Sequence, residues 1–176
     1  MVIAKTLLKN TAQGGLSPKE VLEKVNNQLC ENNEAEMFVT VWLGILEIST
    51  GEMKCANAEH EYPAIRPAGG EYSLLHDKHG LVLAGMEGAR YREYELRMHP
   101  GDCLFVYTDG VAEATNGANE LYGTGRMLAA LNQGRDMGCE NLLRAVRKDI
   151  DAFVGDAPQF DDITMLSMIY KGRAFW

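Results

Sequence analysis

The chain has 176 residues, enough for one domain with a core of its own and no need of disulfides. Hydrophobic residues make up 46% and charged residues 24%, a globular mixture that excludes intrinsic disorder. Lys and Arg number 17 against 25 Asp and Glu, and the formal charge of −8 argues against a nucleic-acid binder, which needs a basic face. That balance suits a soluble enzyme or a divalent-cation site.

The chain opens on residues 1–13, where Val2, Ile3, Leu7 and Leu8 fall at helical spacing. This start lacks the small-residue cleavage site of a signal peptide, and no apolar run reaches the ~20 residues that span a bilayer. A cytoplasmic chain with no membrane contact is expected. No cap precedes Met1, so the chain is expected to begin inside an element. Gly14-Gly15 stops this helix. Ser17-Pro18-Lys19-Glu20 then reads as a capping box with Pro at the first helical position, and Leu16 and Val21 as its hydrophobic staple. Val21, Leu22, Val25 and Leu29 give one apolar face, ended by Asn32-Asn33.

From Met37 the period changes. Residues 38–48 are rich in β-branched and aromatic side chains and read as a strand buried on both faces. After the turn Ser49-Thr50-Gly51-Glu52, residues 53–58 return as its hairpin partner. Residues 64–66 and 72–75 flank Pro67-Ala68-Gly69-Gly70 as another hairpin. Tyr94, Leu96 and Met98 alternate with charged residues as a half-buried strand, which Pro100-Gly101 turns into the apolar run 103–107. Helical patterns follow at 125–132 and 140–153, the second with Leu142, Leu143, Val146, Ile150 and Phe153 on one face. Residues 155–158 form a loop, and 163–170 a final strand. Short hairpin connections imply antiparallel pairing, so the expected class is α+β, a layered sandwich in a single domain over 1–176.

Two places could carry chemistry. In Tyr107-Thr108-Asp109-Gly110 an apolar strand runs into Asp-Gly, which puts the Asp109 carboxylate at a strand end. In Phe160-Asp161-Asp162-Ile163-Thr164 two acids precede a strongly apolar strand. Taken singly, each reads equally as a turn acid or a solvated loop. Adjacent strand residues point to opposite faces, so Asp161 and Asp162 need a bend to share one site. Together, acids at two strand ends in a chain without a Cys/His cluster point to a hard cation such as Mg²⁺ or Mn²⁺, which can activate water and polarise a phosphoryl oxygen. Two carboxylate positions are too few for a two-metal site. Cys30, Cys55, Cys103 and Cys139 lack metal-clip spacing and read as free thiols. His76-Asp77-Lys78-His79 reads as polar surface. His60, after Asn57-Ala58-Glu59, could orient a loop, contact substrate or simply be hydrogen-bonded. No G-x-S-x-G and no phosphate-cradling loop is present, which leaves Ser and Cys nucleophiles unsupported.

The chain resembles the catalytic domain of bacterial PPM-type serine/threonine phosphatases of the sporulation stage II protein E and sigma-B regulator class. The matching stretches are Phe38-Val39-Thr40, Asn57-Ala58-Glu59-His60-Glu61-Tyr62-Pro63, Pro100-Gly101-Asp102 before the strand into Thr108-Asp109-Gly110-Val111, and Gln159-Phe160-Asp161-Asp162-Ile163-Thr164. The resemblance implies an α/β/β/α sandwich of antiparallel sheets and metal-dependent dephosphorylation of phosphoserine or phosphothreonine in a protein. The implied substrate is a phosphorylated anti-sigma-factor antagonist, and the implied cofactor is Mn²⁺ or Mg²⁺ in a two-metal site. Asp109 and Asp161 match metal ligands. Asp162, Gly110, His60 and Asn57 match supporting or substrate-loop positions.

Two departures stand out. The family's opening strands and their metal-bridging Asp are not in this sequence, so the chain is expected to be catalytically incomplete, part of a longer parent with an upstream sensor or regulatory domain. A phosphatase-like module that binds partners without turnover is the alternative. Unpaired sheet edges then predict a homodimer. Glu59 also stands where the family carries a Gly, which would allow positive φ.

Overall fold

The computed structural model describes residues 2–31, 33, 37–159 and 161–172. Met1, Asn32 and Phe160, used in the sequence reading, lie outside the described residues. In chain order the elements are α1 (Val2–Ala12), α2 (Pro18–Cys30), β1 (Val41–Leu46), β2 (Glu52–Ala58), β3 (Ala64–Arg66), β4 (Ser73–Leu74), β5 (Glu93–Arg97), β6 (Cys103–Tyr107), α3 (Asp109–Ala112), α4 (Gly123–Gln133), α5 (Cys139–Val154) and β7 (Met165–Ile169). They fall into two compact units, Met1–His60 with Asp77–Met98, and Glu61–His76 with His99–Trp176.

The first unit carries an antiparallel sheet in the order β1-β2-β5, with Val41 opposite Ala58 and Glu52 opposite Arg97. α2 starts at Pro18, and the Glu20 carboxylate accepts the Ser17 N–H at 2.8 Å, as its sequence signature predicts. Its face Val21, Leu22 and Val25 is fully buried in one cluster with Ala56, Ala58, Leu83 and Tyr91. Burial of each such side chain contributes about 1.5–3 kcal/mol, which is what holds this short helix in place. Asn26, on the same helix, is buried and fully engaged. Its Nδ2 donates to Met86 O at 2.8 Å, and its Oδ1 accepts from the Ala84 N–H at 3.0 Å.

The strand expected over 38–48 to be buried on both faces is instead β1, six residues long, half-buried and at the edge of its sheet. Phe38, Ile45 and Ile48 are exposed. An apolar run does not encode whether a strand has one neighbour or two. Among the described residues β1 pairs with a strand on one edge only, and solvent reaches the side chains. Gly44 in this strand has a local reason. A Cβ there would sit 2.6 Å from the Trp42 ring, which folds over it to donate Nε1–H to the Tyr94 hydroxyl at 2.8 Å.

The second unit carries an antiparallel sheet in the order β4-β3-β6-β7. The hairpin β3–β4 forms as its turn residues predict, with Gly69 at φ 73°. β6 is central, with Phe105 between Ala64 and Ser167, and four of its five residues are buried. Met127 and Leu131 of α4 and Leu142, Val146 and Ile150 of α5 join Phe105, Tyr107 and Tyr122 in one core. The Pro100-Gly101 turn joins β5 and β6, which belong to different sheets. Asp102 organises it. Its carboxylate accepts the Ala68 N–H at 2.8 Å and the His99 N–H at 2.7 Å, and Gly101 sits at φ 96° against Ala68. A local turn signature cannot tell a hairpin from a crossing between sheets. The class is as expected, mixed helices and antiparallel sheets.

Candidate metal centre

β6 delivers the chain to Thr108, which is extended at φ −89°, ψ 159°, and Asp109 then opens the four-residue α3. The turn expected at this strand end is thus a short helical one. Thr108 clamps the strand end to the segment before β7. Its N–H donates to Thr164 O at 3.0 Å, its Oγ1 donates to Asp162 O at 3.0 Å and also accepts the Thr164 N–H at 3.0 Å. Gly110 lets the two segments meet. A Cβ at that position would lie 2.5 Å from Asp162 O, closer than any side chain tolerates. The Thr-Asp-Gly order therefore has a division of labour: Thr108 ties, Gly110 makes room, and Asp109 stands between them.

This clamp brings Asp109, Gly110, Asp161 and Asp162 together at one end of the second unit's sheet. Asp109 Oδ1 accepts the Gly110 N–H at 2.9 Å, and Asp161 Oδ1 accepts the Asp162 N–H at 2.6 Å. These bonds orient the two carboxylates, and all three acids are exposed. The bend that Asp161 and Asp162 needed exists, since the strand begins only at Met165. Asp162 reaches Thr108 through its main chain, not its carboxylate.

Asn57 and His60 lie in the first unit and form a site of their own. Asn57 is 1% exposed. Its Oδ1 accepts the His60 N–H at 2.8 Å, and its Nδ2 donates to His60 O at 3.0 Å and to the Asp77 carboxylate at 3.2 Å. His60 Nδ1 lies 3.1 Å from Thr40 Oγ1. Between them Glu59 takes φ 56°, the left-handed conformation that a glycine would adopt without strain.

The segment 76–79, read from sequence as surface, is only half so. His76 and Lys78 are exposed, but the Asp77 side chain is 3% exposed and pairs with His79 Nε2 at 3.0 Å. Alternation in this extended segment was the available signal, with Asp77 and His79 turned in and their neighbours out. Next to them, burial pushes the Cys55 thiol up to about 12 and the Tyr94 hydroxyl well above the usual phenol range. Both stay protonated beside the buried Asp77 carboxylate. All four cysteines are free, Cys55 and Cys103 buried, Cys30 and Cys139 half-buried.

The donors at the second unit's sheet end are of the right type for Mn²⁺ or Mg²⁺, which take carboxylate and carbonyl oxygens. Their number falls short. Among the described residues no three His, Cys, Asp or Glu side chains converge to hold an ion. Asp109 and Asp161 are two carboxylates held by main-chain N–H groups, and two fall short of the oxygen ligands such an ion takes. Among the described residues, no helix is long and apolar enough to cross a membrane.

Helix-backed antiparallel sheets with paired acids where β6 and β7 meet their loops define the class of PP2C-like phosphatase folds. The SiaA-PP2C domain of Pseudomonas aeruginosa superposes with a TM-score of 0.78 over 96% of this chain and 68% of that chain, at 20% identity. The phosphatase domain of the cell fate determinant SpoIIE from Bacillus subtilis does so at 0.67 over 98% of this chain and 76% of that one, at 13% identity. The chain belongs to the stage II sporulation protein E family of PPM-type phosphatase domains, whose profile matches residues 1–171. Among curated relatives, Protein IcfG of Synechocystis is 27% identical over 91% of this chain and 26% of its own length. The phosphoserine phosphatase RsbU of Bacillus subtilis is 25% identical over 64% of this chain and 34% of its own. The chain therefore spans about a quarter to a third of the relatives it matches.

Proposed function

We propose that residues 1–176 serve as one metal-dependent phosphoprotein phosphatase domain, with Asp109 and Asp161 as carboxylate ligands of Mn²⁺ or Mg²⁺. The observation that carries this reading is the Thr108 clamp, which places both acids at one sheet end with each carboxylate oriented by the N–H of its own successor. When bound, such a cation supplies charge neutralisation on a phosphoryl group and lowers the pKa of a coordinated water. The chain's own contribution is to hold the two carboxylates at fixed places, with Gly110 and the Asp162 main chain as their support. Asn57 holds the His60 loop as a substrate-facing element. The substrate is a phosphorylated anti-sigma-factor antagonist in a bacterial, cytoplasmic regulatory pathway. A regulatory or sensor domain in the parent protein governs the activity, consistent with relatives several times longer.

A second reading rests on a specific observation. With fewer than three donor side chains together among the described residues, the chain holds metal weakly and turns over slowly, and it can act as a phosphoprotein-binding module. Release of inorganic phosphate from a phosphorylated anti-sigma-factor antagonist, measured with Mn²⁺ and with EDTA, separates the two. Mn²⁺-dependent release supports the enzyme. Tight binding of the phosphoprotein with no release in either condition supports the module.

A further inference from the structure

Beside the paired acids the second unit has a cleft of about 290 Å³, whose wall includes Gly110 and Asp161. Its floor is apolar, from Val154 of α5 and Ile163 ahead of β7, with the buried Ile150 behind them. Its rim is charged. Arg147 Nε donates to Asp151 Oδ1 at 2.8 Å, so that pair is neutral in sum, and Glu113 remains as the unbalanced carboxylate apart from the metal-centre acid Asp161.

We propose that this cleft receives the segment of a phosphoprotein that flanks its phosphorylated residue, seating one apolar side chain on the floor of Val154 and Ile163 and one basic side chain against Glu113. The inference rests on the phosphatase reading above and names the sequence preference of that same site. Three features lead to it. The volume suits one or two side chains and not a folded domain. The net negative rim favours a cationic neighbour over an acidic one. Asp161 belongs both to the cleft wall and to the candidate metal centre, and residues of an extended segment advance only about 3.4 Å each. A phosphoresidue at the acids therefore places its near neighbours in the cleft.

The test uses two short fluorescein-labelled phosphoserine peptides, identical except at the flank, one with Leu and Arg and the other with Ala and Glu. Anisotropy with Ca²⁺ in place of Mn²⁺ measures binding with a cation at the acids and without Mn²⁺-dependent turnover. The Leu/Arg peptide should bind the intact chain at least about tenfold more tightly, since burying one Leu is worth more than the 1.4 kcal/mol that tenfold represents. Glu113→Gln, at an exposed position, should remove the part of the preference due to Arg and keep the part due to Leu. Ala157→Trp, which fills the cleft, should remove the part due to Leu in a variant whose melting shows it folded. Equal binding of the two peptides, or a preference that survives Glu113→Gln undiminished, overturns the proposal. Phosphate release with Mn²⁺ is scored separately. Release without flank preference contradicts only the cleft, and preference without release contradicts only the phosphatase reading.

Discussion

Glu59 is the residue at which sequence and geometry pull hardest against each other. An L-residue in the left-handed region costs roughly 1–2 kcal/mol, yet Glu59 holds φ 56°. It is kept there by its neighbours, because Asn57 binds both the N–H and the carbonyl of His60 across it. Glycine relieves that strain and gives back part of the gain through a freer unfolded chain. Glu59→Gly is expected to stabilise the chain by about 1 kcal/mol, read as a higher urea midpoint with unchanged slope. A lower midpoint would show that the Glu59 side chain contributes more than its backbone costs. The residue scale is also where the sequence was least legible. Asp109 and Asp161 stood out because each ends or precedes an apolar run. Asp77 did not, because its burial comes from Asn57 and His79, and the first of these lies 20 residues away.

At the scale of elements, local signals carried far where the element's character is itself local. The capping box starts α2, the 103–107 run is β6 residue for residue, and the turn residues make β3–β4. β1 was over-read as two-sided, since a strand's neighbours are fixed by distant chain. The junction of β6, α3 and the approach to β7 combines both kinds of information. Thr-Asp-Gly is visible in sequence, whereas the hydrogen bonds from Thr108 to residues 162 and 164 are not. Gly110→Ala tests that junction. Its Cβ would meet Asp162 O at 2.5 Å, and a backbone atom cannot swing aside. The expected cost is about 1–3 kcal/mol of stability together with weaker Mn²⁺ binding, read by urea unfolding and calorimetry. Full stability and unchanged Mn²⁺ affinity would mean that the two segments are not held in contact.

For the whole molecule, the edge of β1 that has no strand partner among the described residues, with Ile45 and the flanking Phe38 and Ile48 exposed, makes association through that strand the expected outcome. The net charge of −8 opposes it, but the Debye length is only about 8 Å at physiological salt. Light scattering at moderate salt should therefore report a dimer, and a monomer over a hundredfold range of concentration would contradict the edge argument. The central claim concerns the two oriented acids, and calorimetric titration of Mn²⁺ tests it most directly. Measured on the intact chain and on Asp109→Asn and Asp161→Asn, each substitution should lower Mn²⁺ affinity at least about tenfold, since even outer-sphere partners of a metal are worth 10–100-fold. Both variants should keep the parent's melting temperature, because each carboxylate is exposed. Mn²⁺ affinity unchanged in both folded variants would contradict the account and leave Asp109 and Asp161 as ordinary turn residues.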